Sequence, residues 1–122
     1  MQPLTGTELY VMKCIWDADM PLTPNEIRHR LRDDYGKEYA YPTINTFLKH
    51  IMEKGYVSQN RENYSYRYAA LVTEDAYREE ELNSMKTLWY GGSMKKMAAS
   101  VLCSKELNQE DKEYLKKLLD EE

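Results

Sequence analysis

Residues 41–55, Tyr-Pro-Thr-Ile-Asn-Thr-Phe-Leu-Lys-His-Ile-Met-Glu-Lys-Gly, constrain the fold of this chain more than any other stretch. A proline preorganised for the first helical turn and a glycine just past the last one bound a helix over 42–54. At about 100° per residue, Ile44, Phe47, Leu48 and Ile51 gather on one side, while Asn45, Thr46, Lys49, His50 and Glu53 spread over the other. After Gly55 the period changes to two. Residues 56–61 read as a strand, Glu62-Asn63 as a turn, and residues 64–68 as a return strand in which Tyr64, Tyr66 and Tyr68 alternate with Ser65 and Arg67.

Upstream, Thr5 and Glu8 have capping-box spacing and open a helix whose apolar stripe is Leu9, Met12, Ile15 and Trp16. Thr23, Pro24 and Glu26 open a second helix, running from Pro24 to about Asp34, with Ile27 and Leu31 turned inward and Arg28, Arg30 and Arg32 outward. Three short helices followed by a hairpin are the order of a winged helix-turn-helix, assigned to residues 1–70. Beyond Ala70 the composition turns acidic and helical. Thr73 caps a helix to Tyr90, Gly91-Gly92 break it, Ser93 caps a short helix, and Asn108 opens a last one. Leu82, Met85, Leu88, Met94, Met97, Val101, Leu115, Leu118 and Leu119 form apolar stripes that this segment is too small to bury alone. A second copy would cover them, so residues 71–122 read as a helical dimerisation arm. The fold class is mostly α with a small antiparallel β wing.

Several functions are disfavoured. With 122 residues and 42% hydrophobic content the chain is one domain plus an appendage, too small for a large enclosed catalytic cleft. Asp17 with Asp19, and Glu79 to Glu81, lack an accompanying histidine or phosphate loop, so no enzyme is expected. Cys14 and Cys103 are far apart and read as buried or half-buried reduced thiols, and the methionines at 94 and 97 read as packing rather than a soft metal site. No metal or cofactor is expected. No apolar run approaches the roughly 20 residues of a membrane span, and the N-terminus lacks signal-peptide character, which points to a cytoplasmic protein without a membrane partner.

The net charge of -4 is unevenly spread: residues 1–70 hold nine basic and nine acidic side chains, residues 71–122 eight and twelve. A neutral module can still present a local DNA-reading face, although one copy should bind weakly. Thr43, Asn45 and Thr46 lower helix propensity yet occupy the half that would enter a groove, whereas an idle solvated face carries Glu/Lys pairs. Asn45 suits adenine, Thr46 a thymine methyl, and Lys49 and His50 a guanine edge or phosphate. Arg61 and Arg67 on the wing suit phosphate or the minor groove. Tyr64, Tyr66 and Tyr68 read as core-facing. The acidic total motivates an alternative, a winged-helix protein-interaction module without DNA binding.

Nearly end to end the chain resembles the BlaI/MecI/CopY (penicillinase repressor) family of bacterial regulators. The resemblance is carried by Leu4 to Met12 with Ile15, Trp16 and Asp17, by Thr43 to Ile51 with Lys54 and Gly55, by the Tyr-rich wing, and by Leu88 to Met94. It implies a winged-helix homodimer that binds double-stranded DNA at a palindromic operator and represses transcription. In the copper-responsive branch the C-terminus carries paired Cys-x-Cys motifs, and the tail here, residues 115–122, has no cysteine. In the antibiotic-responsive branch an inducer-activated protease cuts an Asn-Phe bond in the short helix; the matching place here reads Ser100-Val101. Asn45 and His50 stand where relatives often carry arginine.

Overall fold

The structure, a computed structural model, describes residues 1–121. Two threonines start the first two helices. Before α1 (Gly6–Asp17) the Thr5 hydroxyl accepts the Glu8 N–H at 3.3 Å, and the Glu8 carboxylate accepts the Thr5 N–H at 2.9 Å. Thr23 and Glu26 repeat the box before α2 (Pro24–Tyr35), at 3.2 and 3.0 Å. Each reciprocal pair satisfies two amides that a helix start leaves without partners. The third helix, α3 (Tyr41–Glu53), begins one residue earlier than its proline suggested, with Pro42 second. The first-turn amides have no intrahelical partner in any case, so proline is tolerated at either position.

Ile27 and Leu31 of α2 and Ile44, Leu48 and Ile51 of α3 close on Val11, Met12 and Ile15 of α1 to form the core. The buried face of α1 is broader than its expected stripe. Val11 and Cys14 are inside while Leu9 and Trp16 are half-buried, because α1 packs against α2, α3 and the hairpin at once. Phe47 is half-buried, its ring edge-on to Tyr39 at 5.3 Å.

The hairpin pairs β1 (Val57–Glu62) with β2 (Ser65–Ala70), antiparallel, from Val57 opposite Ala70 to Glu62 opposite Ser65. The turn is Asn63-Tyr64, one residue later than expected, and Asn63 supplies the left-handed backbone at φ 59°. Leu22, between α1 and α2, adds a bridge to Tyr68: the Leu22 N–H donates to the Tyr68 carbonyl at 3.1 Å and the Tyr68 N–H to the Leu22 carbonyl at 2.8 Å. Of the three wing tyrosines only Tyr68 faces the core; Tyr66 is 42% exposed and Tyr64 95%. Alternation set the face correctly, but the hairpin overhangs the core and only its base is covered.

The chain divides into two compact units, Met1–Tyr77 and Arg78–Glu122, the last residue lying outside those described. The division falls later than the composition change after Ala70, because Tyr77 is buried with the first unit's core, 5.7 Å from the rings of both Trp16 and Tyr56. Its hydroxyl accepts the Leu4 N–H at 3.2 Å, and the Trp16 indole donates to the Val72 carbonyl at 2.8 Å. Helix α4 (Glu74–Tyr90) starts at Thr73, whose hydroxyl accepts the Ala76 N–H at 3.1 Å. Gly91 and Gly92, at φ 59° and 85°, end it as the sequence indicated. The second unit continues with α5 (Met94–Leu102), capped by Ser93, and α6 (Gln109–Asp120), capped by Asn108 and Asp111. Among the described residues no helix is long and apolar enough to cross a membrane.

Both cysteines are free thiols, but they differ: Cys14 is buried, whereas Cys103, just past the end of α5, is exposed rather than buried. Burial pushes the Cys14 thiol up to about 12, helped by the negative charges of Asp34 and Asp17, so it stays protonated and unreactive at neutral pH.

Glu8 is the buried charged residue of this core, 3% exposed. Its Oε1 accepts from the Lys54 ammonium at 2.6 Å, and Lys54 also donates to the Pro3 carbonyl at 3.2 Å. Burial works to raise the Glu8 carboxyl, but Lys54 and the Thr5 amide and hydroxyl outweigh it and hold the group below its usual 4.5. A depressed folded pKa contributes stability that is present above the unfolded value and lost as pH falls through the folded one. Glu8→Gln should therefore cost about 2 kcal/mol at neutral pH. In chemical denaturation across pH, the gap to wild type should close as pH drops below 4.5; a gap that stays constant into acid would contradict the pairing.

Candidate nucleic-acid interface

The outward face of α3 carries the polar residues expected of it. Thr46, Lys49 and His50 are exposed, and Thr43 and Asn45 are half-exposed at its flanks. Ile44, Leu48 and Ile51 anchor the opposite side. Thr46 donates its hydroxyl back to the Pro42 carbonyl at 3.1 Å, which leaves its methyl as the outward group. The start of α3 has no side-chain cap, since Ala40 stands at the N-cap, and Tyr41 in the first turn is 43% exposed. A cleft of about 390 Å³ beside that turn is lined by Arg28 and Arg32 of α2 with Glu38, Tyr39 and Ala40.

On the wing, Arg61 is exposed near the tip, its guanidinium over the Tyr66 ring at 5.6 Å from the centroid. Its Nε donates to the Asn63 carbonyl at 3.4 Å. Tyr64 projects from the turn itself. Sequence reasoning passed over Tyr64 and Tyr66 as surface groups because period-two alternation groups them with the buried Tyr68. The Asn63-Tyr64 turn was the available signal, since a residue at a hairpin tip has no core to face. Arg67 is placed differently from Arg61: its guanidinium is engaged by Glu26, Glu62 and the Pro21 carbonyl.

In the second unit Leu82, Met85, Leu88, Met94, Val101, Leu118 and Leu119 are exposed, Leu115 is half-buried, and Met97 is buried, 7% exposed. Ser100 and Val101 lie in the last turn of α5 and are exposed.

Residues 4–121 match the family described as penicillinase repressor. The chain belongs to the penicillinase repressor family. It is 26% identical over 118 residues to the penicillinase repressor of Bacillus licheniformis, covering 97% of this chain and 90% of that protein. To the methicillin resistance regulatory protein MecI of Staphylococcus aureus (strain N315) it is 22% identical over 116 residues, 95% of this chain and 92% of that protein. Among solved structures, the DNA binding domain of the repressor BlaI is 27% identical with a TM-score of 0.51, covering 61% of this chain and 87% of that domain. The complex structure of hsRosR-S4 shares the fold at a TM-score of 0.56 and 14% identity, over 83% of this chain and 87% of that one.

The wing of this family member should depend on the backbone at its tip. Asn63 occupies a left-handed conformation that costs most L-residues about 1–2 kcal/mol. Asn63→Ala should lower stability by about 1 kcal/mol and Asn63→Gly should leave it near wild type. Thermal unfolding of the two variants checks this; equal loss in both would mean the asparagine side chain, not its φ angle, matters.

Proposed function

We infer that the chain is a DNA-binding transcriptional repressor of the penicillinase-repressor type. The observation that carries the reading is the polar outer face of α3 beside an exposed wing tip, on a scaffold matched by the family over residues 4–121. In the proposed complex α3 enters the major groove. Asn45 pairs with an adenine edge, the Thr46 methyl meets a thymine methyl, and Thr43, Lys49 and His50 reach neighbouring edges or phosphates. The wing brings Arg61 to the backbone. The uncapped start of α3 adds its dipole and amides, with Arg28 nearby, on the side a phosphate would approach.

Two copies joined through the apolar side chains of the second unit would place two recognition helices on a palindromic operator, raising affinity through effective concentration. Release from DNA is proposed to act on this second unit, by an inducer-activated protease at the Ser100-Val101 bond, whose two residues are exposed, or by a small ligand bound in the dimer interface.

Asn45→Ala and Lys49→Ala should weaken DNA binding without unfolding, with different signatures. Asn45→Ala should relax preference at one base position by about 1–3 kcal/mol. Lys49→Ala should weaken all sequences alike and reduce the salt slope by about one. Titration against duplexes selected from a random pool, and against scrambled ones, reads both. Binding equal to wild type in both variants would sink this assignment of the two residues, and a wild-type chain that shows no shift with DNA even at low salt would favour a protein-interaction module instead.

Leu88 and Leu119, exposed at 76% and 70%, can accept charge without disturbing a core. Leu88→Glu and Leu119→Glu together should convert a sedimenting dimer to monomer and lower operator affinity by roughly a hundredfold. A wild-type chain that sediments as a monomer at micromolar concentration would remove the dimer from this reading.

A further inference from the structure

Arg67 stands on the solvent side of the wing, where a cation invites assignment to a phosphate. Its surroundings indicate another task. Nη1 donates to the Pro21 carbonyl at 3.1 Å and to Glu26 Oε1 at 3.1 Å, and Nε lies 3.2 Å from Glu62 Oε2. A phosphate arriving here would meet two carboxylates and would have to displace charge-assisted bonds already made. The same Glu26 oxygen accepts the Thr23 N–H at 3.0 Å, so Arg67 is tied through it to the first turn of α2. The next residue of β2, Tyr68, exchanges backbone hydrogen bonds with Leu22. Arg67 thus sits where the hairpin is fastened to the connection between α1 and α2. From Tyr68 to the turn at Tyr64 the strand runs about 13 Å, so a rotation of roughly 10° at the fastening carries the tip roughly 2 Å. That exceeds what a hydrogen bond at the tip tolerates.

We propose that Arg67 is the positioning residue of the wing: by joining β2 to Glu26 and the Pro21 carbonyl it sets where the tip, with Arg61 and Tyr64, stands relative to the outward face of α3. The proposal rests on the DNA-binding reading above. It assigns Arg67 no contact with DNA and gives the tip the contact instead. Glu26 then has two tasks, starting α2 and holding the wing through one oxygen.

The test titrates the full-length chain by fluorescence anisotropy against a duplex that the wild-type protein selects from a random pool, over a salt series. Arg67→Met should weaken binding about tenfold and flatten the slope against salt no more than Arg61→Ala does, because the phosphate contact it misplaces is that of Arg61. Added to Arg61→Ala and Tyr64→Ala together it should cause no further loss, since no tip contact is left to misplace. Glu26→Gln keeps the helix start, because the amide oxygen still accepts the Thr23 N–H. It should nevertheless weaken binding, although it removes a negative charge. Arg67→Lys should weaken it less than Arg67→Met, because an ammonium still donates to some of the three acceptors although it cannot span them all. A phosphate ligand at Arg67 gives a different pattern: Arg67→Met added to the tip variants flattens the slope by about one more, its loss adds to those of the tip, and Glu26→Gln binds tighter. Any of these overturns the proposal, as does Arg67→Met binding like wild type. Unfolding curves accompany each variant; if Arg67→Met lacks a cooperative transition, Glu26→Gln and Arg67→Lys decide. A wild-type chain that enriches no duplex from the pool instead overturns the DNA-binding reading, and this proposal with it.

Discussion

The first unit depends on a single carboxylate oxygen. Glu8 Oε1 receives the Thr5 amide, which starts α1, and the Lys54 ammonium, which stands at the end of α3. One acceptor therefore joins the beginning of the first helix to the end of α3. Lys54 continues the link to the Pro3 carbonyl, and the Tyr56 hydroxyl donates to the Gln2 carbonyl, so the residues before α1 are held as well. A buried ion pair of this kind gains little over a well-packed apolar pair, but breaking one half leaves the other half without its partner. Its contribution is directional. The apolar contacts of Ile44, Leu48 and Ile51 would tolerate some rolling of α3, whereas a fixed ammonium at its end restricts which face points outward.

Charge is handled locally throughout this unit. Glu26 and Glu62 engage Arg67, Asp17 and Glu74 engage Lys13, and Glu8 engages Lys54. These pairs occupy four of the nine carboxylates of residues 1–70 within the fold, while Lys49 on the outer face of α3 and Arg61 at the wing tip are exposed. The net negative charge belongs to residues 71–122, with eight basic and twelve acidic side chains, so an acidic total is compatible with a DNA-facing surface on the formally neutral first seventy residues.

Much of this architecture was legible because the deciding signals are local. Thr5 with Glu8, Thr23 with Glu26, Ser93, Asn108 and the Gly91-Gly92 pair each act within one helical turn, and the helix starts they mark stand where the sequence places them. The polar and apolar faces of α3 were readable for the same reason. The Glu8–Lys54 pair joins residues 46 apart and no pattern of spacing announces it. Nor does spacing separate Arg61 from Arg67: both read as wing cations, and the approach of Glu26, Glu62 and the Pro21 carbonyl to Arg67 distinguishes them. Tyr64 and Tyr66 departed from the core-facing reading that Tyr68 follows for a related reason, since a period of two gives the face of a strand but not how far the strand extends past the core. Tyr77 was assigned to the acidic helical segment by composition, yet two aromatic neighbours bind it to the first unit.

The contrast between the two thiols has a practical side. Cys14 is enclosed in the core and kept protonated, while Cys103 is open to solvent. A bulky alkylating reagent at neutral pH should therefore attach a spectroscopic label at one place in the second unit without any cysteine having to be removed. Modification at the other thiol becomes a clock for opening of the first unit, because the reagent reaches it only when α1 leaves its neighbours. The native chain carries both a reporter position and an internal record of its own unfolding.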